Sequence, residues 1–310
     1  FIYVNAQAAE IYGMTSAKAD GEIIWNAFPE IEAQLRPDCE KAMQTPQPIQ
    51  FESYFTPFKR WLEIRLNPAS DRLAISFHDI TERKRSEAII NGQRQVLEKV
   101  ARGEPLKQTL DALLLFIELL APDMPCSILL LHDDAKHIRH GSAPNLPKEY
   151  TDAIDGLAIG PSHGSCGTAM FRREAVFVSD ISSDPLWANY KQLAAIHGLR
   201  SCWSTPIFDA QQKVLGSFAI YHRIATTPTD QHRELITLAT DISAICITHQ
   251  RSKAALRQSE ERYARAVNGT SDGIWDWNIP TNTEYLSPRW KELLGFSNDE
   301  LPNHADSFYD

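Results

Sequence analysis

The sequence predicts an α+β chain of small, mainly antiparallel sheets joined by helical, coiled-coil-like segments, and three observations carry that prediction. Alternating apolar residues mark strands at 52–58, 60–68 and 72–79, and buried strands follow at 126–132, 175–181, 202–208 and 214–222. Helical apolar stripes separate these runs, as at Leu106, Leu110, Leu113, Ile117 and Leu120. A phrase near the start also returns near the end. "IYVNAQAAEIYGMTSAKADG" from Ile2 is similar to "EYLSPRWKELLGFSNDELPN" from Glu284, with Tyr3 matching Tyr285, Val4 matching Leu286, Glu10 matching Glu292 and Gly13 matching Gly295 at one constant offset.

Each repeated phrase reads as a strand, a short helix and a glycine stop. After the first come a helical stretch to Gln44 and the three N-terminal strands, which predict a small antiparallel sheet with helices on one face. In the last strand the period of two places Asp79 in phase with Leu73, Ile75 and Phe77, so a carboxylate ends an apolar face and needs a partner. The stretch "DITERKRSEAII" then runs straight into a charged helix, which Asp79 and Thr81 are placed to cap. In the middle region Pro105 opens an amphipathic helix and "CSILLLH" follows as a buried strand. A further helix is expected from Pro185 to about His197, with Asp184 as its cap and Gly198 as its stop.

Composition narrows the function. The chain has 310 residues, 43% of them hydrophobic, which is enough for two or three domains. A net charge of -9 argues against nucleic acid or an anionic membrane as a partner. The longest apolar run, at 110–122, is short of a bilayer span, and no signal peptide is visible. A cytoplasmic setting is expected, with membrane attachment only through segments outside this sequence. Five scattered cysteines without a CxxC pair suggest neither a disulfide framework nor a metal site. The chain begins inside a strand-like pattern and stops in mid-phrase, so it reads as a fragment.

"NAQAAEIYG" through "WLEIRL" to "SFHDITERK" resembles a PAS domain lacking its first strand. "SDGIWDWNIPTNTEYLSPRWKELLGFSNDEL" resembles the opening half of another. "IGPSHGSCGTAMFRREAVFVSDISSDPLWANYKQLAAIHGLRSCWSTPI", followed by "KVLGSFAIYH", resembles a GAF domain of bacterial sensor proteins. The resemblance implies a PAS domain at 1–85, a helical linker at 86–104, a GAF domain at 105–248, a second helical linker at 249–267 and a truncated PAS domain at 268–310. It further implies the input region of a cytoplasmic signal-transduction protein that binds a small ligand, or senses redox state or light, and relays this to an output domain beyond Asp310. A two-component sensor histidine kinase with a response regulator as partner is the leading expectation. A diguanylate cyclase or cyclic di-GMP phosphodiesterase is the alternative. Signatures of those output domains are absent from this sequence, so no catalytic residue is assigned to it.

Candidate residues fall into three groups. Asp79, Ile80 and Thr81 sit where the resemblance places the exit from the first PAS domain, a point of signal coupling as well as a helix cap. Leu235, Leu238, Ile242, Ile245, His249, Ser252, Leu256, Ser259, Tyr263 and Ala266 advance by alternating three and four residues, the seam of a parallel homodimer, made weak by its polar members. Cys166, Trp187, Tyr190 and Trp203 are the ligand-pocket candidates, with core packing as the plain alternative for the aromatic residues. Cys166 is placed near a helix N-terminus, with His163 as a possible cationic neighbour. "HGSCGTAM" is similar to a phrase of the free methionine sulfoxide reductases, but Cys202 lies inside a strand rather than before it, so no peroxide or methionine sulfoxide reductase turnover is expected. Cys166 is followed by Gly167 where bilin-binding relatives have histidine. Residues 21–50 contain no histidine for a haem, and Cys39 lacks the flavin-adduct phrase. The cofactor and the ligand are therefore left unassigned.

Overall fold

In the computed structural model the described residues are 23–301, apart from 28, 46, 270 and 271. The first copy of the repeated phrase lies outside them. The chain falls into two compact units, residues 1–95 and 96–310.

In the first unit, helices α1 (Ile24–Ala27) and α2 (Pro29–Gln44) precede strands β1 (Ile49–Phe55), β2 (Arg60–Pro68) and β3 (Leu73–Asp79). The strands form an antiparallel sheet in that order. Ile31, Leu35 and Ala42, one stripe of α2, pack with Leu62, Ile64 and Leu66, one face of β2. Along β3 every second residue is partly buried, and Asp79 shares the phase of Leu73, Ile75 and Phe77 as its position in the alternation requires. Helix α3 (Thr81–Ala101) begins two residues after Asp79 and crosses the boundary between the units.

The middle domain is built on a five-stranded antiparallel sheet in the order β5-β4-β8-β7-β6. Its strands are β4 (Cys126–Leu131), β5 (Ile138–Ser142), β6 (Val176–Val178), β7 (Ser201–Phe208) and β8 (Val214–His222). Strands β4 and β8 are buried along their whole length, because both faces of the sheet are covered. Helices α4 (Leu106–Leu120) and α8 (Asp230–Gly269) cover one face, where Leu110, Leu113 and Ile117 meet Ile128, Trp203, Phe218, Ile220, Leu235 and Ala239. Helices α5 (Lys148–Ile154), α6 (Gly164–Arg172) and α7 (Lys191–Ile196) lie with the other face, against Leu129, Cys202 and Tyr221. Strands β4 and β8 approach so closely that a Cβ at Gly216 would stand 2.2 Å from the Leu129 carbonyl oxygen.

Three expectations change. Strand β5 and helix α5 are additional elements, short and without a strong periodic pattern. The single helix expected from Pro185 to His197 is a 3₁₀ turn at Pro185–Trp187 and a separate α7, broken at Tyr190 (φ -123°, ψ -5°). Asp184 does cap the turn, accepting from Leu186 N at 2.8 Å, and Gly198 at φ +68° ends the segment. Third, Leu238 and Ile242, expected in a dimer seam, pack against the domain's own core together with Leu235. The reason is that the first turns of α8 supply the apolar cover of the sheet, and the same three-four spacing serves that packing. Farther along, Ile245, Leu256 and Tyr263 are exposed.

The helix α8 is followed by a two-stranded sheet of β9 (Trp275–Asn278) and β10 (Thr283–Leu286), and by α9 (Pro288–Leu293). Ser287 caps α9 by accepting from Trp290 N at 3.2 Å, and Gly295 at φ +89° follows its end. The second copy of the repeated phrase is thus a strand, a short helix and a glycine stop. No helix among the described residues is long and apolar enough to cross a membrane.

Candidate functional site

A cavity of about 40 Å³ lies between α6, the Pro185–Ile196 segment and the sheet face that carries Tyr221. Gly164 shapes its floor. At φ +62° the residue takes a backbone conformation that favours glycine, and from there α6 starts toward the sheet. Cys166, the third residue of that helix, is 8% exposed and lines the cavity. Its place in the first turn, among backbone N–H groups that no helical carbonyl satisfies, favours a thiolate.

The polar neighbours of this thiol come from β7 and β8. Ser204 Oγ donates to Cys166 Sγ at 2.9 Å, and the Tyr221 hydroxyl lies 3.8 Å from the same sulfur. Cys202 and Tyr221 are paired across the β7–β8 ladder, and Ser204 follows two residues on along the same face of β7. The Cys166 thiol is lowered to about 7, first by the neighbouring Cys202 thiol, against the opposing effect of burial, with Ser204 and Tyr221 adding to the lowering. Burial pushes Cys202 well above the ordinary thiol range, and the neighbouring Cys166 pushes it further. His163 caps α6 by position only. Its backbone N–H donates to Thr168 Oγ1 at 3.1 Å, and it is not among the groups that act most on Cys166.

Aromatic rings close the cavity. Trp187 Nε1 donates to Ser165 Oγ at 2.9 Å, and Ser165 Oγ donates to the Cys202 carbonyl at 3.1 Å. The chain of bonds holds the covering segment to α6 and α6 to β7. Tyr190 and Tyr150 complete the wall, and the Tyr150 and Tyr221 rings meet edge-on at 5.7 Å. At its present size the cavity takes a ligand of only a few heavy atoms, and a larger one requires the Pro185–Ile196 segment to move.

Of the expected pocket residues, the structure brings together Cys166, Trp187 and Tyr190. Trp203 is elsewhere. It is fully buried on the opposite face of the sheet, with its Nε1 donating to the Thr226 carbonyl at 3.3 Å and its ring 5.2 Å from His232 of α8. Adjacent residues of a strand face opposite ways, so Trp203 points away from the sheet face that carries Cys202 and Ser204. Tyr221, Ser204 and Tyr150 join the site without having been expected there. The period of two along "SCWSTPI" and "VLGSFAIYH" carries the signal for Ser204 and Tyr221 once one residue of each strand is oriented.

In the first unit the Asp79 junction is a compact set of bonds. Asp79 Oδ1 accepts from Thr81 N at 2.9 Å and from Thr81 Oγ1 at 2.6 Å, and Oδ2 pairs with Arg60. Thr81 Oγ1 in turn accepts from Trp61 N at 3.0 Å, and Ile80 N donates to the Trp61 carbonyl at 2.9 Å. Arg83 and Lys84 both reach Glu52 of β1, at 2.6 and 2.5 Å. The start of α3 is therefore fastened to all three strands. Burial acts to raise the Asp79 carboxyl, and the bonds from Thr81 and Arg60 outweigh it and hold the group below its ordinary value.

Comparison with known proteins agrees with this architecture. The family model of the GAF domain matches residues 103–248, and that of the PAS fold matches residues 1–85. The chain therefore carries a GAF domain and a PAS fold, a pair of sensory input domains. Over 227 residues it is 32% identical to the methyl sulfide methyltransferase-associated sensor of Methanosarcina acetivorans, a match covering 73% of this chain and 23% of that protein. Over 72 residues it is 28% identical to the hybrid signal transduction histidine kinase A of Dictyostelium discoideum, covering 23% of this chain and 3% of that protein. The chain thus spans about a quarter of the first relative and a small part of the second. The GAF domain of a phosphoenolpyruvate-protein phosphotransferase from Coxiella burnetii aligns with a TM-score of 0.44 at 20% identity, over 55% of this chain and 98% of that one.

Proposed function

We propose that the chain is the input region of a signal-transduction protein in which a small ligand, or a redox change, in the GAF cavity biases the helices leading to an output domain. The observation that carries this reading is the position of β7. Ser204 is bonded to Cys166 of the cavity wall, and its neighbour Trp203 packs against the first turns of α8. A shift of β7 is felt on both faces, since a close-packed interior transmits strain. Helix α8 has 40 residues, about 60 Å of rigid element at 1.5 Å per residue.

The similarity to a sensor and to a histidine kinase favours a histidine kinase output with a response regulator as its partner. Exposed Ile245, Leu256 and Tyr263 supply a stripe for a parallel homodimer through the outer part of α8. Residues 272–301, with their strand, short helix and glycine stop, are the start of a second PAS domain.

The test uses the product of the full-length gene, incubated with ATP and assayed for acid-labile phosphohistidine. Tyr190→Ala, which enlarges the cavity, should change the phosphorylation rate several-fold while the melt of the chain stays cooperative. Asp79→Ala should leave the PAS unit folded, at a cost of about 1–2 kcal/mol for a lost cap and hydrogen bonds, and flatten the response to that change. Absence of phosphohistidine would exclude the kinase output. A rate unaffected by either substitution would remove the cavity and the junction from signalling.

A further inference from the structure

Behind the GAF cavity a second buried thiol, Cys202, lies in the same core cluster as Cys166 of the cavity wall. The start of α6 is bonded to β7 at both residues: Ser165 Oγ donates to the Cys202 carbonyl at 3.1 Å, and Ser204 Oγ, on the same face of β7 as Cys202, donates to Cys166 Sγ at 2.9 Å. Tyr221, the cross-strand partner of Cys202, lies 3.8 Å from the same sulfur. Cys166 also lines the cavity, which gives a small molecule a way to it.

We propose that Cys166 and Cys202 form a peroxide-responsive dithiol, with Cys166 as the attacking thiolate and Cys202 as the resolving thiol. In the first step the Cys166 thiolate attacks the terminal oxygen of a small hydroperoxide. An S–O bond forms, the O–O bond breaks, and the departing alkoxide or hydroxide takes up a proton to leave as alcohol or water. Cys166 is then a sulfenic acid, oxidised by two electrons, and the peroxide is reduced by two. In the second step the Cys202 sulfur attacks the sulfenic sulfur. The S–S bond forms, the S–O bond breaks, and the hydroxide leaves as water with the Cys202 proton. One equivalent of peroxide is consumed per chain and the link then persists, a stoichiometric switch without sustained peroxide turnover, until a dithiol reductant reverses it by exchange.

The division of roles follows the surroundings. Cys166 has the helix N-terminus, the donated hydroxyl of Ser204 and the cavity, and its thiol is lowered to about 7. Cys202 is 0% exposed within a strand and is reached by Cys166 rather than by solvent. Cys126 and Cys246 are also buried, but burial raises both thiols, Cys246 to about 12, so they serve as internal controls. The thiol chemistry is read by mass and stands or falls apart from the sensor reading. Only its relay to α8 rests on that reading.

The experiment treats the folded 310-residue chain with one equivalent of hydrogen peroxide, quenches in denaturant with an alkylating agent and maps the peptides without reductant. The expected result is one linked peptide pair joining Cys166 to Cys202, reversed by dithiothreitol, with Cys166 lost at least ~10-fold faster than Cys126 or Cys246. In Cys202→Ser the expected product is a dimedone adduct on Cys166, and in Cys166→Ser no adduct or link forms at Cys202. Free Cys166 and Cys202 after treatment, a link to another cysteine, or oxidation of Cys166 no faster than of Cys246 would each overturn the proposal. Circular dichroism of both variants confirms that the compared chains are folded.

Discussion

The two faces of the GAF sheet differ in what they bury. Toward α4 and α8 the strands present Cys126, Ile128 and Leu130, Trp203 and Ile207, Phe218 and Ile220, an almost wholly apolar layer. Toward α5, α6 and α7 the alternate positions include Cys202, Ser204, Tyr221 and, through its bond of 3.3 Å to the Tyr221 hydroxyl, Ser127. The first face is a packed core that holds α8, and the second is a hydrogen-bonded layer with a cavity in it. The same strands build both, so packed core and cavity wall are separated by side-chain parity and not by position in the chain.

The largest test of that contrast is Trp203→Ala. Removing a fully buried indole from the apolar face should cost about 3–5 kcal/mol, read from denaturant midpoints at unchanged slope. A cost near 1 kcal/mol would place Trp203 in a face that tolerates rearrangement.

A second test is pH. His222, at the edge of the apolar face, stands 4.2 Å from the Trp203 ring by centroid, and its Nε2 is buried without a hydrogen-bond partner. Burial, aided by His232, lowers it from 6.5 to about 4. The unfolded chain therefore takes up the proton first. The stability tied to neutral His222 is complete above pH 6.5 and is lost as pH falls toward about 4, by up to about 3 kcal/mol. His222→Phe should flatten the melting temperature between pH 7 and pH 5 relative to the wild type. Equal slopes in both proteins would mean that His222 is charged in the folded state.

The cavity face should respond in chemistry more than in stability. Tyr221→Phe removes one hydroxyl from the thiol cluster at a cost of about 1 kcal/mol, while the pH midpoint of Cys166 alkylation moves upward. A midpoint that stays in place would remove Tyr221 from the cluster. The smallest effect is expected on the outer part of α8. Leu256→Asp, at a residue 61% exposed, should change the stability of the chain by no more than about 0.5 kcal/mol. Sedimentation should nonetheless show a weaker dimer, whereas Ile242→Asp should unfold the domain.

Much of this was legible in the residues. The phase of Asp79 followed from a period of two, the capping role of Asp184 from its place before Pro185, and the burial of Leu110, Leu113 and Ile117 from helical spacing. Cys166, Trp187 and Tyr190 were legible as pocket residues, on resemblance and aromatic character. Trp203 was misplaced because sequence records that neighbours in a strand face apart but not which of them faces which layer. The three-four spacing of α8 misled for a related reason. A helix stripe has the same period whether it meets its own sheet or a second helix, so Leu238 and Ile242 read as a seam when they are core.

By itself the sequence determined most element types, the caps and stops and the apolar phases, because these depend on local periods and on backbone preferences within a few residues, while the kind of domains followed from resemblance to known families. The tertiary structure alone decided that Cys166 meets Ser204 and Tyr221, and that Trp203 belongs to α8. Those contacts join residues 29 to 55 positions apart. No local pattern specifies such a meeting, since it arises only when helices close on both faces of a sheet and side-chain parity becomes inside or outside, cavity or core.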